Sequence, residues 1–410
     1  MHPVRLTLPE LLEAKVRRAS RQQAMLERHH MPLISFSMNI PGPVKYSPLI
    51  RFAFDEALRQ LPKAVEQTVL WEQTGCEAIL CCDIPAEELK VLCRRLEEDS
   101  PVGRLYDLDV LTAEGEKLSR EIPRTCLICQ KPAFPCARSR AHSLEELDAA
   151  VQKLLQDFAA ERLAELAVEA LKDEVQLTPK PGLVDAANNG AHTDMDLPMF
   201  LKSAESLRPY FEEAVRLGLA GADAAPLQQA GLRAEKVMFE ATGGINTHKG
   251  AVYGFGLLLC AMGHRLKRGC DLFEKAAELA AGCKKAAEQT HGSIVLEKHG
   301  AGGARQEAQS GFPTARYGAQ ILAETGNAHT AFLSLLLRCE DTNLLYRGGA
   351  EGLAFAKAWA NRVLNAPAEL RPSLLKEMDE AFISRNLSPG GTADMLALSI
   401  FLRRTKNNWQ

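Results

Sequence analysis

The chain has 410 residues, enough for two or three domains, with 46% hydrophobic and 25% charged side chains, the balance of an ordinary globular protein. Its 49 basic and 52 acidic residues leave a net charge of -3, and only 6% are aromatic, which argues against a nucleic-acid coat or a single-strand stacking platform. The longest apolar run, 251–262, is interrupted by Gly254 and Gly256 and falls short of the roughly 18 residues a membrane helix needs.

The N-terminus carries His2, Pro3 and Arg5 and no apolar signal core. The eleven cysteines therefore read as reduced thiols of a cytoplasmic protein. Helices are predicted at 9–28, 48–61 and 85–98, the last with Pro85 at its start and Glu87 and Glu88 behind it. Strands are predicted at 33–38, 78–82 and 105–111. From Ser143, which opens a capping box with Glu146, a 3.6-residue period takes over. It predicts helices over 143–158, 160–174, 197–217, 226–240, 250–267, 271–289, 314–337, 349–363, 370–384 and 392–404. The domain boundary is placed in 142–160, giving domains 1–155 and 156–410, an α/β (α+β) domain followed by an all-α one.

In Gly103-Arg-Leu-Tyr-Asp-Leu-Asp-Val110, residues two apart share a strand face, so Asp107 and Asp109 project together. Such a pair is either two solvated acids or a Mg²⁺ site for phosphate chemistry. This motif, with Asn39-Ile-Pro-Gly-Pro-Val-Lys45 and Arg21-Gln-Gln23, resembles the citrate lyase holo-carrier-protein synthases over residues 5–155. The resemblance implies transfer of a phosphoribosyl-dephospho-CoA group to a serine of the lyase's apo acyl carrier protein, with release of diphosphate. It also implies Mg²⁺ on Asp107 and Asp109, phosphate contacts at Arg104 and Lys45, and a nucleotidyltransferase-like mixed sheet.

Cys126-x2-Cys129-x6-Cys136-x5-His142 has the ligand types of a Cys₃His zinc site, though not a familiar finger spacing. Ordinary thiols are the expectation; structural zinc, or a contact from Arg138, Arg140 and His142 to a diphosphate or an acidic carrier protein, is the alternative.

Four loops of the helical half carry chemistry-bearing groups. In Thr178-Pro-Lys-Pro-Gly182 two prolines stiffen the chain around Lys180, which suits either a phosphate or a simple helix stop. Asn188-Asn-Gly-Ala-His-Thr-Asp-Met-Asp196 gathers Asn188, Asn189, His192, Asp194 and Asp196 before an apolar helix that Asp196 alone would cap. Thr242-Gly-Gly-Ile-Asn-Thr-His-Lys-Gly250 brings Asn246, His248 and Lys249 to a helix start, a natural anion site. Arg305 and Glu307 follow a glycine stretch at 300–303, and Ser388-Pro-Gly-Gly-Thr-Ala-Asp394 opens the last helix.

Over residues 160–405 these loops resemble the triphosphoribosyl-dephospho-CoA synthases, an all-α family that joins ATP to 3′-dephospho-CoA and releases adenine. Gln306 departs from that family, where Gly is expected. The resemblance implies base or Mg²⁺-ligand roles for Asp194, Asp196 and Asp394, and substrate contacts from Lys180, Asn188, Asn189, His192, Asn246, His248, Lys249, Arg305 and Glu307. Both resemblances together match a fused bifunctional maturation protein; the carrier of malonate decarboxylase, or a first domain that only docks the carrier, is the alternative. No membrane or nucleic-acid partner is expected.

Overall fold

The computed structural model describes residues 4–119, 123–284, 295–298 and 300–406. It forms two compact units, one running to Ala159 together with the segment Leu266–Gly269, the other made of Ala160–Arg265 and everything from Cys270 onward.

The first unit opens with α1 (Leu8–His29), β1 (Leu33–Met38), α2 (Pro48–Leu58), β2 (Glu66–Glu72), β3 (Gly75–Cys81), α3 (Ala86–Glu98) and β4 (Tyr106–Leu111). Its sheet has the order β2-β3-β1-β4, with every neighbouring pair antiparallel. The expected mixed sheet is therefore corrected. β3 and β4, joined through α3, run the same way, but β1 lies between them, so no parallel ladder forms. Strand direction depends on that insertion, which no local pattern encodes. β2 escaped the sequence reading because it is an edge strand without a buried position.

The alternation in β1 and β4 divides the sheet into two faces. Ile34, Phe36, Leu108 and Val110 are buried, and Phe36 stacks on Phe54 of α2 with centroids 4.5 Å apart. On the opposite face Ser35 pairs in register with Asp109, and Ser37 with both Asp107 and Glu77. α1 covers part of this polar face: Arg18 and Arg21 bond Glu77, and Gln22 bonds Ser35. The capping box of Thr7 and Glu10 starts α1, and Ser47 accepts from the Ile50 amide to start α2. After β4 come a short α4 (Ala133–Arg138) and α5 (Leu144–Gln176), opened by the Ser143–Glu146 capping box. The two helices expected at 143–158 and 160–174 are one 33-residue helix, since no Gly or Pro separates them. The division between units falls inside it.

No strand occurs among the described residues of the second unit. Its helices after α5 are α6 (Leu197–Ser206), α7 (Arg208–Ala220), α8 (Ala224–Ala241), α9 (Lys249–Arg268), α10 (Leu272–Gly282), α11 (Gly303–Gln309), α12 (Pro313–Thr325), α13 (Ala328–Arg338), α14 (Thr342–Asn365), α15 (Arg371–Ser384) and α16 (Gly390–Arg404). The helix expected over 197–217 breaks where Pro209 opens α7, and that over 314–337 breaks at Gly326, with φ +65°. Of the helix expected over 271–289, residues 285–289 lie outside the described residues.

α16 is a core helix, buried from Met395 to Leu402. Glycines admit it. A Cβ on Gly318 would lie 2.2 Å from Ser399 Oγ, one on Gly254 2.9 Å from Leu398 Cδ1, and one on Gly250 2.1 Å from Asp394 Oδ2. Gly250 and Gly254 are one turn apart on α9, as Asp394 and Leu398 are on α16, so α9 receives α16 along one stripe. Among the described residues no helix is long and apolar enough to cross a membrane.

Candidate active sites

In the second unit the 246–250 and 388–394 loops converge. Asp394 fills the space a side chain at position 250 would take, and among the described residues no group donates a hydrogen bond to it. Burial, and then the charges of Glu174 and Asp341, push its carboxyl well above the usual range. Asp341 is fully buried, yet fully served. The Thr392 amide and hydroxyl donate to Oδ2 at 2.6 and 2.8 Å, and the Asn343 and Leu344 amides donate to Oδ1 at 2.9 and 3.1 Å. Thr392 thus answers to Asp341, a residue the sequence reading did not single out. Its burial pushes the Asp341 carboxyl up as well, while these donors pull the other way.

Lys180 departs from expectation. It does not present its ammonium to solvent for a phosphate. It is 2% exposed, and Nζ bonds Glu174 Oε1 at 2.5 Å and the Glu174 carbonyl at 2.9 Å. A buried ammonium keeps its charge only when paired, and α5 ends where Glu174 supplies that pair. The same loop is closed by Asp185, which accepts from the Lys180 amide at 2.7 Å, and by Asp379, which accepts from the Gly182 amide and the Asn188 side chain, both at 2.8 Å.

His248 lies fully buried beneath Phe200, with Nδ1 2.8 Å from Ser203 Oγ and, among the described residues, no hydrogen-bond partner for Nε2. Burial first, and the Lys180 charge second, hold it down at about 3, so the ring is neutral. His192 bridges Ser388 Oγ at 2.8 Å and Arg347 at 3.3 Å, which ties the 188–196 loop to the one before α16. Burial lowers its pKa, Arg347 lowers it further, and the exposed Asp194 opposes both.

Other expected contacts have local structural duties. Asp196 is exposed and accepts from the Met199 amide at 2.9 Å, the cap of α6. Asn246 accepts from the Lys249 amide at 3.2 Å, and Lys249 pairs with Glu235 at 3.0 Å. Asn189 is exposed, and its carbonyl accepts from the His192 amide. Arg305 is spent on the carbonyls of Cys283 and Lys284. Glu307 accepts from the Thr314 and Ala315 amides at 2.6 and 3.2 Å, at the start of α12. A group of cations lies elsewhere. Arg316, Arg338, Arg403 and Lys406 line a groove of about 590 Å³ at the far end of α16 from Asp394.

In the first unit Asp107 and Asp109 share the polar sheet face. Arg124 bonds Asp107 at 3.3 Å, and Lys117 bonds Asp109 at 2.6 Å. Arg124 also bonds Glu97 at 2.6 Å, and Glu97 accepts from the Leu108 amide at 3.0 Å, so α3 is pinned to the edge strand. Gly103 is required by packing, since a Cβ there would lie 2.5 Å from the Leu96 carbonyl. Arg104 donates to the Thr125 and Cys126 carbonyls at 3.1 and 2.7 Å, and Lys45 donates to the Ile40 carbonyl. Burial lowers the Lys45 pKa. Arg21 belongs to the Arg21-Gln-Gln23 motif, whereas nothing in the sequence singles out Arg18 and Arg124, because an arginine on a polar helix face, like Arg18, or in a loop, like Arg124, reads as solvated. Cys126, Cys129, Cys136 and His142 come together, their ligand atoms all within 4.8 Å of one another.

Comparison with known proteins divides along the chain. Residues 6–158 match the family model of the apo-citrate lyase phosphoribosyl-dephospho-CoA transferases, and residues 160–410 that of the ATP:dephospho-CoA triphosphoribosyl transferases. The Protein CitXG of Haemophilus influenzae is 36% identical over 98% of this chain and 97% of its own length. That of Leuconostoc mesenteroides subsp. cremoris is 32% identical over the same shares. A 2-(5''-triphosphoribosyl)-3'-dephosphocoenzyme-A synthase of Haemophilus ducreyi is 36% identical over 67% of this chain and 98% of its own.

Proposed function

The chain belongs, over residues 6–158, to the apo-citrate lyase phosphoribosyl-dephospho-CoA transferases and, over residues 160–410, to the ATP:dephospho-CoA triphosphoribosyl transferases, and we propose how its sites perform the two reactions. It is a bifunctional transferase of citrate lyase prosthetic-group biosynthesis. One activity joins ATP to 3′-dephospho-CoA with loss of adenine; the other passes the phosphoribosyl-dephospho-CoA group to the citrate lyase acyl carrier protein with loss of diphosphate.

In the synthase reaction the 2′-hydroxyl of dephospho-CoA forms a bond to the ribose C1 of ATP as the C1–N9 bond to adenine breaks. The hydroxyl proton needs an acceptor, and the departing adenine needs a donor. Asp394 is the acceptor in this reading. Among the described residues no group donates a hydrogen bond to it, and burial raises its basicity above that of an ordinary carboxylate, as a proton acceptor needs. Asp341, saturated by four donors, holds the first turn of α16 in place and supplies part of the negative field that raises Asp394. The neutral His248 offers its unpartnered Nε2 to the bound nucleotide. Inverting glycosidases likewise assign a carboxylate to activate the attacking oxygen.

In the transferase reaction the serine hydroxyl of the carrier attacks the phosphorus next to the ribosyl group, and diphosphate leaves. Asp107 and Asp109 offer hard oxygen donors on one face, a set that fits Mg²⁺; Asp394 and the exposed Asp194 are donors of the same class. When bound, Mg²⁺ would offset phosphate charge beside these carboxylates. Arg18, Arg21 and Arg124 supply fixed positive charge on the same sheet face. A nucleotidyltransferase-like mechanism and a domain boundary in α5 belong to the same proposal.

The observation that carries this reading is the Asp394 carboxylate lying in the space left by Gly250. Asp394→Asn tests it. Incubation with ATP, dephospho-CoA and Mg²⁺ should yield at least about 100-fold less adenine by chromatography, the scale of a lost general base. Transfer from separately made triphosphoribosyl-dephospho-CoA to the apo carrier should be unchanged. Near-normal adenine release would remove Asp394 from the chemistry.

A further inference from the structure

We infer that Cys126, Cys129, Cys136 and His142 hold a structural zinc ion that braces the transferase face of the first unit. Geometry comes first. A tetrahedral zinc with Zn–S bonds of about 2.3 Å places its sulfurs about 3.8 Å apart. Cys129 and Cys136 Sγ are 3.9 Å apart, and Cys136 and Cys126 Sγ are 3.5 Å apart. His142 completes four ligands, and among the described residues its buried Nε2 has no hydrogen-bond partner. The Ile128 amide points at Cys126 Sγ at 3.5 Å, the kind of outer contact that orients a thiolate ligand. Gln130 turns the chain after Cys129 with φ +59°, and the Cys126 amide closes the turn on the Lys131 carbonyl at 2.6 Å.

The second argument is what the segment lacks. α4 buries no residue, and Phe134 is 75% exposed. A stretch without a hydrophobic core needs another staple, and a metal is one of the few available. A Cys126–Cys136 disulfide would also staple it, but would leave Cys129 and His142 without a role. Three thiolates at this spacing repel one another unless a positive ion joins them.

The third argument is where the segment leads. Arg124, two residues before the first ligand, bonds Asp107, and Arg104 grips the Thr125 and Cys126 carbonyls. Zinc would thus fix the backbone from which the Asp107 contact is made. The four residues would act as positioning residues for the transferase face.

The full chain, purified without a histidine tag or chelator, should carry about one zinc per molecule by elemental analysis. After metal removal, Co²⁺ should restore stoichiometric binding, with the visible bands and sulfur charge-transfer absorption of a tetrahedral thiolate site. This readout needs no variant and no activity. Cys129→Ser and Cys136→Ser should each lower zinc content at least about tenfold, while Cys270→Ser, outside the cluster, should retain it. Metal-free protein should lose carrier transfer but keep adenine release, so failure of the zinc proposal is distinguishable from failure of the two catalytic assignments. Wild-type protein that purifies without zinc, takes up no Co²⁺ and transfers normally would overturn the inference, as would a Cys126–Cys136 disulfide found by mass mapping of reductant-free protein.

Discussion

Asp196 and Asp394 are both acids in loops that enter helices, and the sequence offers no reason to separate them. The structure does. Asp196 is exposed and spends an oxygen on the Met199 amide, whereas Asp394 is half-buried against Gly250, within the field of Glu174 and Asp341. Because Asn caps about as well as Asp, Asp196→Asn should change stability by less than about 0.5 kcal/mol and leave adenine release intact. Asp394→Asn should behave in the opposite way. Its carboxyl is raised in the folded chain, so its contribution to stability is present below the unfolded carboxylate range and is lost as pH rises through the folded value. Removing the charge should therefore leave the melting temperature at pH 7 equal to or above that of the wild type, and the difference should shrink on acidification. A large fall in melting temperature at pH 7 would show that Asp394 is structural. His248 has the reverse sign. Its folded pKa of about 3 lies below the usual 6.5, so the stability of keeping it neutral is complete above 6.5 and is lost as pH falls toward 3. His248→Gln should flatten that acid limb of the melting-temperature profile; an unchanged profile would mean the ring does not titrate there.

Helices and strands were legible where local pattern decides them, and the site was legible only where a motif does. Alternation in Tyr106–Leu111 fixed which face carries Asp107 and Asp109, because the buried partners Tyr106, Leu108 and Val110 occupy every other position. Glu174, Asp341 and Asp379 were invisible by comparison. Glu174 and Asp379 sit inside helices and Asp341 reads only as the N-cap of α14, while the contacts that matter come from outside the local pattern: Lys180 for Glu174, Gly182 and Asn188 for Asp379, Thr392 for Asp341. Lys180 was misread for a related reason. Its flanking prolines imply a stiff loop, but only the end of α5 decides whether that loop points outward or in. The pairing of α9 with α16 makes a test at this scale. Gly250→Ala puts a methyl 2.1 Å from Asp394 Oδ2, and Gly254→Ala puts one 2.9 Å from the flexible end of Leu398. Both overlaps demand movement, but only the first moves the carboxylate. Gly250→Ala should cut adenine release at least about tenfold, as small misplacements in a site do, and Gly254→Ala much less. Equal losses in both would mean that helix spacing, and not the position of Asp394, is what the glycines protect.

At the scale of the molecule, α5 is the element through which the two units are continuous in sequence. Val151, Leu155 and Ala159 are buried in its first half and Leu163, Ala167 and Leu171 in its second, so each unit has an apolar stretch of the helix to itself. In the first unit Phe158 lies against Phe52, with centroids 5.9 Å apart. If the units are independent domains, a chain of residues 1–159 and a chain of residues 160–410 should each melt cooperatively, the first keeping carrier transfer and the second adenine release. The position of the cut then matters in a way that a flexible linker would not predict. A first fragment ending at 142 keeps the cysteine cluster but loses Val151, Leu155 and Phe158. Loss of a packed aromatic side chain alone costs about 3–5 kcal/mol, a large share of a small domain's stability. That fragment should therefore melt well below residues 1–159, by more than about 10 °C, or remain unfolded. A fragment of residues 1–142 that melts with residues 1–159 would show that the first half of α5 adds nothing to the first domain. Failure of both longer fragments to melt cooperatively, while the intact chain does so, would show that α5 binds a single folding unit.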